Sequence, residues 1–99
     1  MLVSVVIPTY DRLPILQQCL SALEAQVELP EGDDFEIVLV DDGSTDGTVD
    51  WVAAHAQSLP HVRLLQQEHG GPALGRNLGV DQARGELIIF IDSDLVVVP

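Results

Sequence analysis

Four short aliphatic runs, residues 3–7, 35–40, 62–65 and 87–91, alternate with segments whose apolar residues recur at three- and four-residue steps. Runs this dense in Val, Ile and Leu are the mark of parallel strands buried on both faces, and the periodic segments between them are the helices that cover those faces. Strands separated by helices pair in parallel through right-handed crossovers. The expected fold is α/β: a three-layer, Rossmann-like α/β/α sandwich with a mainly parallel sheet. A strand order of 3-2-1-4 would set the first and fourth strands side by side and gather the loops at Pro8, Asp41 and Asp92 at one crevice, where ligands bind in open α/β sheets.

Local signals refine the boundaries. Pro8 cannot donate to a ladder and is expected to stop the first strand. Asp11 is expected to cap the next helix, with Pro14 tolerated in its first turn and Leu16, Cys19, Leu20, Leu23 and Val27 on its buried face. Residues 28–34 form a polar linker broken by Pro30 and Gly32. Gly43 permits a tight turn, and Ser44, Thr45 or Asp46 caps the second helix, whose face is Val49, Val52, Ala53 and Ala56. Trp51 falls off that stripe, so partial burial is expected for it. The third helix spans residues 72–84, with Pro72 in its first turn and Gly85 as its C-terminal stop.

Ninety-nine residues allow one domain with a modest core. Sixteen acids against four Arg and no Lys leave a formal charge of -12, which repels nucleic acid and anionic lipid. Cys19 stands alone, excluding an internal disulfide and fitting a reducing cytoplasm. The N-terminus has no basic leader, and no run approaches the ~20 apolar residues of a membrane span. The expected location is the cytoplasm, or the cytoplasmic face of a membrane through a longer parent chain.

Acidic and polar residues cluster at the strand ends. Two carboxylates about 4 Å apart repel by about 4 kcal/mol at an effective dielectric near 20. A divalent cation relieves that repulsion at Asp92-Ser93-Asp94, and oxygen ligands suit Mg²⁺ or Mn²⁺ whose remaining positions are filled by substrate phosphates. The bland alternative is a solvated turn. Asp41 or Asp42 can accept a hydrogen bond from a nucleobase N–H and Tyr10 can stack on the base, whereas the plainer role of the acids is a turn and helix cap. Residues 70–79 are glycine-rich but lack both the Gly-x-Gly-x-x-Gly spacing and a P-loop Lys. Gly75 and Gly79, one turn apart, imply close helix–sheet packing. Arg76 is a candidate partner for a phosphate or for the acidic cluster, with a surface salt bridge as its alternative. His55, His61 and His69 have no metal-ligand spacing and are expected at the surface, and no Ser-His-Asp arrangement is present.

Taken together, Val5-Val6-Ile7-Pro8-Thr9-Tyr10-Asp11-Arg12, Val38-Leu39-Val40-Asp41-Asp42-Gly43-Ser44-Thr45-Asp46, Gly75-Arg76-Asn77-Leu78-Gly79 and Phe90-Ile91-Asp92-Ser93-Asp94 closely resemble the family 2 glycosyltransferases of the GT-A fold. The resemblance implies a nucleotide-diphospho-sugar donor, with a UDP-sugar favoured, and Mn²⁺ or Mg²⁺. It implies that residues 1–99 are the donor-binding half of a GT-A domain. Pro8, Thr9 and Tyr10 would line the base and ribose pocket, Asp42 and less firmly Asp41 would bind the base, and Arg76 would lie near the diphosphate or hold the acidic loop. In the Asp-x-Asp motif Asp92 would approach ribose or sugar, Ser93 would line the donor site, and Asp94, with Asp92, would serve the metal. Asp11 stands where the family often has Asn, and Gly75 where Ala is usual. The acceptor site and general base lie downstream of this motif in the family, so no catalytic base is assigned here and the acceptor is unknown. Most members invert.

Two other readings fit part of the pattern. Asp92-Ser93-Asp94-Leu95-Val96 also matches the Asp-x-Asp-x-Val motif of haloacid-dehalogenase-type phosphatases, with Asp92 as nucleophile, but those enzymes need a downstream Lys and this chain has none. A non-catalytic fragment that binds nucleotide, or self-associates through a sheet edge and the apolar Val96-Val97-Val98, is the third.

Overall fold

A computed structural model describes residues 1–26 and 29–92. Strand β1 (Leu2–Thr9) leads to helix α1 (Leu13–Gln26), β2 (Asp34–Asp41), α2 (Thr48–Ala54), a 3-10 turn (Ala56–Ser58), β3 (Val62–Gln66), α3 (Pro72–Gln82) and β4 (Leu87–Phe90). The sheet order is β3-β2-β1-β4, all parallel, as the alternation of strands and helices predicts.

Alternate residues of β1 and β2 divide between two packed faces. Val3, Val5 and Ile7 with Phe35, Ile37 and Leu39 pack against Leu16, Cys19, Leu20 and Leu23 of α1 and Val52 of α2. Val6, Val38 and Val40 face the other way, where Leu78 of α3 joins them. Both faces of the central strands are thus covered, which is why those strands carry continuous apolar runs. Trp51 is partly buried against the first cluster and stacks on His55.

Four expectations are corrected. Strand β1 continues through Pro8 to Thr9 rather than stopping. The register explains why: the carbonyls of Leu2 and Val6 accept from Glu86 and Ile91 on the β4 side, while that of Thr9 accepts from Asp42 on the β2 side. Pro8 shares the orientation of Val6, and its missing N–H points past the last described pairing of β4, so no ladder bond is lost. Asp11 does not cap α1: it adopts φ 46°, and Leu13 N–H instead donates to Asp46 Oδ2 at 3.0 Å.

Helix α3 ends at Gln82, and Gly85 is no left-handed helix stop. It lies flat on β1, donating to Ser4 Oγ at 2.8 Å, and a Cβ there would sit 2.5 Å from Ser4 Oγ, 2.7 Å from Ser4 N and 2.8 Å from Leu2 O. Strand β4, finally, is not buried on both faces: Leu87, Ile89 and Phe90 are 46%, 42% and 51% exposed. It is the outer strand of the described sheet, and α3 packs on β1 and β2. An apolar run alone does not tell a covered strand from an uncovered one. Val27, Glu28, Ser93, Asp94 and Val96 to Val98 lie outside the described residues.

Candidate functional site

Parallel strands end at the same edge, and at that edge a cavity of about 1030 Å³ opens. Pro8, Thr9 and Tyr10 line it from the end of β1, Asp42 from beyond β2, His69 from the loop before α3, Arg76 from α3 and Asp92 from beyond β4. Six of the residues singled out in the sequence therefore share one cavity. Asp41 does not line it.

Reciprocal bonds lock the β1–α1 and β2–α2 loops together. Asp11 N–H donates to Ser44 Oγ at 2.9 Å, and Thr45 N–H donates back to Asp11 Oδ1 at 2.7 Å. Asp46 serves two helix starts, taking Leu13 N–H on Oδ2 and both Thr48 N–H and the Thr48 hydroxyl on Oδ1. Burial pushes the Asp46 pKa upward, but bonds from the Thr48 hydroxyl and the Leu13 and Thr48 amides outweigh it and hold the carboxyl below its usual range. Tyr10 is thereby carried on a braced loop, 41% exposed toward the cavity.

The adjacent acids have different fates. Asp42 is 3% exposed, and its carboxylate is saturated: Oδ1 accepts from Gln67 Nε2 at 2.7 Å and Gly70 N–H at 2.8 Å. Its Oδ2 accepts from Gly71 N–H at 3.0 Å and faces His69 Nδ1 at 2.9 Å. Burial again opposes ionisation, and these bonds with the nearby imidazole outweigh it, so the pKa lies below the ordinary value. Asp41, 2% exposed, accepts Ser44 N–H on Oδ2, while its Oδ1 and the neighbouring Thr9 Oγ1 are buried without a partner among the described residues. Thr9 and Asp41 are register partners on the α1–α2 face, yet Thr9 reaches the cavity while Asp41 is held in the β2–α2 turn by the bond from Ser44 N–H.

Arg76 is exposed and forms no ion pair among the described residues; Gln67 and the Gly70–Gly71 amides hold the Asp42 carboxylate. One histidine departs from the surface expectation, and a second, exposed as expected, joins the site. His61 is half-buried, clipped to Glu24 of α1 through its Nδ1 and backbone N–H and stacked on Phe35. His69 enters the site, its ring stacked on Tyr10 with centroids 4.1 Å apart. Spacing along the chain could not reveal it, because the His69 contacts reach back to Asp42 and Tyr10. Gln67 was missed for the same reason.

Metal ligation is served only in part by the described residues. Among them no group of three or more His, Cys, Asp or Glu side chains could hold an ion. Asp92 is exposed at the cavity, which Arg76 also lines. That donor set fits a cation held by one or two carboxylates and by phosphate oxygens, not a closed protein cage.

No helix among the described residues is long and apolar enough to cross a membrane. The sequence model described as "Glycosyl transferase family 2" matches residues 4–99. An uncharacterized glycosyltransferase of Escherichia coli K12, YibD, is 36% identical over 96 residues, covering 97% of this chain and 27% of the relative. Staphylococcus aureus TarS 1-349 in complex with UDP superposes with TM-score 0.80 at 38% identity, over 95% of this chain and 28% of that one. The mannosyltransferase PcManGT of Pyrobaculum calidifontis, in complex with GDP-Man and Mn²⁺, gives TM-score 0.81 at 32% identity over 93% and 27%. The chain spans less than a third of the length of each of these proteins.

Proposed function

Because the chain belongs to glycosyl transferase family 2, we propose that residues 1–99 are the donor-binding part of a metal-dependent, inverting transferase that takes a sugar from a nucleoside diphosphate. The observation that carries this reading is the cavity at the strand ends, which gathers Tyr10, Asp42, Arg76 and Asp92 around about 1030 Å³. An aromatic face and a carboxylate suit a base, and a guanidinium and an exposed acid suit a diphosphate with its cation. Pro8 and Thr9 form the floor beneath base and ribose.

In this assignment Asp92, with Ser93 and Asp94 following it, holds Mn²⁺ or Mg²⁺ against the diphosphate, and Arg76 takes a phosphate oxygen. Bound there, the cation neutralises charge on the departing nucleoside diphosphate. The UDP and GDP-Man complexes of the two structural neighbours support a nucleotide-sugar donor, with a UDP-sugar the first to test. No described residue is assigned as base toward the acceptor. The free, buried Cys19 fits a reducing, cytoplasmic setting.

A thermal-shift panel of UDP, GDP, dTDP, CDP and ADP, each with Mn²⁺ or chelator, tests the assignment. At one hundred times its dissociation constant the right nucleotide stabilises the fold by about 2.7 kcal/mol. The shift should need Mn²⁺ and should shrink in Asp92→Asn. Equal shifts in chelator, or none with any nucleotide, would refute it.

A further inference from the structure

Two contacts of His69 have the form of a nucleobase in its pocket. The imidazole stacks on Tyr10 at 4.1 Å and an interplanar angle of 27°, and Nδ1 lies 2.9 Å from Asp42 Oδ2 and 3.2 Å from the Asp42 carbonyl. An aromatic heterocycle on Tyr10 with a ring nitrogen at the Asp42 carboxylate is what the proposed function assigns to the base of the donor. A carboxylate offers about four acceptor positions. Gln67, Gly70 N–H and Gly71 N–H fill three, and His69 holds the fourth.

These four donors differ in how readily they leave. Two are backbone amides of the turn that enters α3, and Gln67 is half-buried. The His69 side chain is 59% exposed and belongs to neither core cluster. A base N–H therefore reaches Asp42 by replacing the imidazole, not by joining it.

We propose that His69 is an internal surrogate for the nucleobase: in the free chain its ring holds the Tyr10 face and the Asp42 acceptor that the base takes on binding, so His69 sets the affinity for the donor. The inference rests on the donor-site reading above. A binding-competent state that is only fractionally populated weakens apparent affinity by that fraction. If His69 occupies the site about nine-tenths of the time, removing it tightens binding about tenfold.

Calorimetric titration of the parent chain and His69→Ala with UDP and with GDP, in Mn²⁺, measures that change. Ring-proton NMR of His69 in the parent chain gives a second readout that needs no variant: resonances shifted by the Tyr10 ring should return toward solvent values when UDP saturates. Tightening of His69→Ala together with release of the ring supports the proposal. Unchanged or weaker binding in His69→Ala, or a ring that stays on Tyr10 with UDP bound, overturns it and leaves the donor site intact. Failure of UDP and GDP, and of dTDP, CDP and ADP titrated in the same way, to bind either chain overturns the donor-site reading, and this proposal with it.

Discussion

Replacing Gly85 with Ala should loosen the strand that carries Asp92. The added methyl would stand 2.5 Å from Ser4 Oγ, 2.7 Å from Ser4 N and 2.8 Å from Leu2 O, all closer than the 3.0 Å that real Cβ atoms respect. Two of the three obstacles are backbone atoms of the buried central strand, so β4 must move. Its retreat strains or breaks Gly85 N–H to Ser4 Oγ and Glu86 N–H to Leu2 O, at 2.8 and 2.9 Å. Two hydrogen bonds at about 1 kcal/mol each and overpacking of about 1–3 kcal/mol are offset by less than about 1 kcal/mol from a stiffer unfolded chain. The net loss is about 2–4 kcal/mol, a fall in Tm of roughly 10–30 °C in a domain this small. Thermal unfolding followed by circular dichroism measures it. Adding Ser4→Ala to Gly85→Ala removes only the hydroxyl obstacle and should restore less than half the loss. A Gly85→Ala chain melting within 2 °C of its parent, on the order of experimental error, would refute the steric account.

Two further outcomes are expected. Asp42, Asp46 and Glu36 are opposed by burial, yet their hydrogen bonds hold their folded pKa values below the usual range. A depressed carboxyl contributes stability that is complete above its unfolded value near 4 and is lost as pH falls through its folded value. The urea midpoint should therefore stay level from about pH 7 to 5 and drop below about 4, less steeply in Asp42→Asn; an identical acid slope in that variant would remove Asp42 from the account. Gly79→Ala would drive a methyl into Val6 Cγ1, a fully buried and χ1-stiff side chain. Overpacking of about 1–3 kcal/mol should exceed the helix-propensity gain of about 1 kcal/mol, so urea melts should show lower stability; a gain would mean that α3 shifts freely.

Much of the fold was legible because it rests on local rules. The periodicities of residues 16–23 and the aliphatic runs follow from covering both faces of a parallel sheet, and the order 3-2-1-4 follows from short right-handed crossovers. The misreadings share a different cause. Asp11 has the right type and position to cap α1, yet Asp46, distant in sequence, does so. Pro8 breaks a ladder only where a neighbour is waiting for its N–H, and that depends on how far β4 extends. Gly85 follows a helix as a stop should, but it is small because Ser4 passes beneath it. At the site, the residue types at the strand ends were readable, while the division of labour between Asp41 and Asp42 was not. Asp41 ends β2 and Asp42 lies just beyond it, and only their contacts, from Ser44 to the one and from the distant Gln67, Gly70 and Gly71 to the other, tell which reaches the cavity.

The two α3 glycines tie this register to chemistry. Gly75 stands against Pro8, with room for a Cβ only at 3.2 Å from the ring, and Gly79 stands against Val6 and Val40. These contacts seat the helix closely on side chains of the two strands whose ends build the cavity. Arg76 follows Gly75 immediately, so the contact that fixes the helix height on Pro8 also fixes where the guanidinium leaves the helix. Ala is usual in the family at the Gly75 position; here its Cβ would press on Pro8 and lift that end of α3. The same end carries Gly70 and Gly71, whose amides hold Asp42, and His69 just before them. A small residue at position 75 thus sets helix, carboxylate and imidazole together. Gly75→Ala should accordingly change nucleotide affinity more than it changes stability, and calorimetric titration with UDP beside a thermal melt separates the two; a chain that loses stability while binding UDP unchanged would show that α3 only supports the fold.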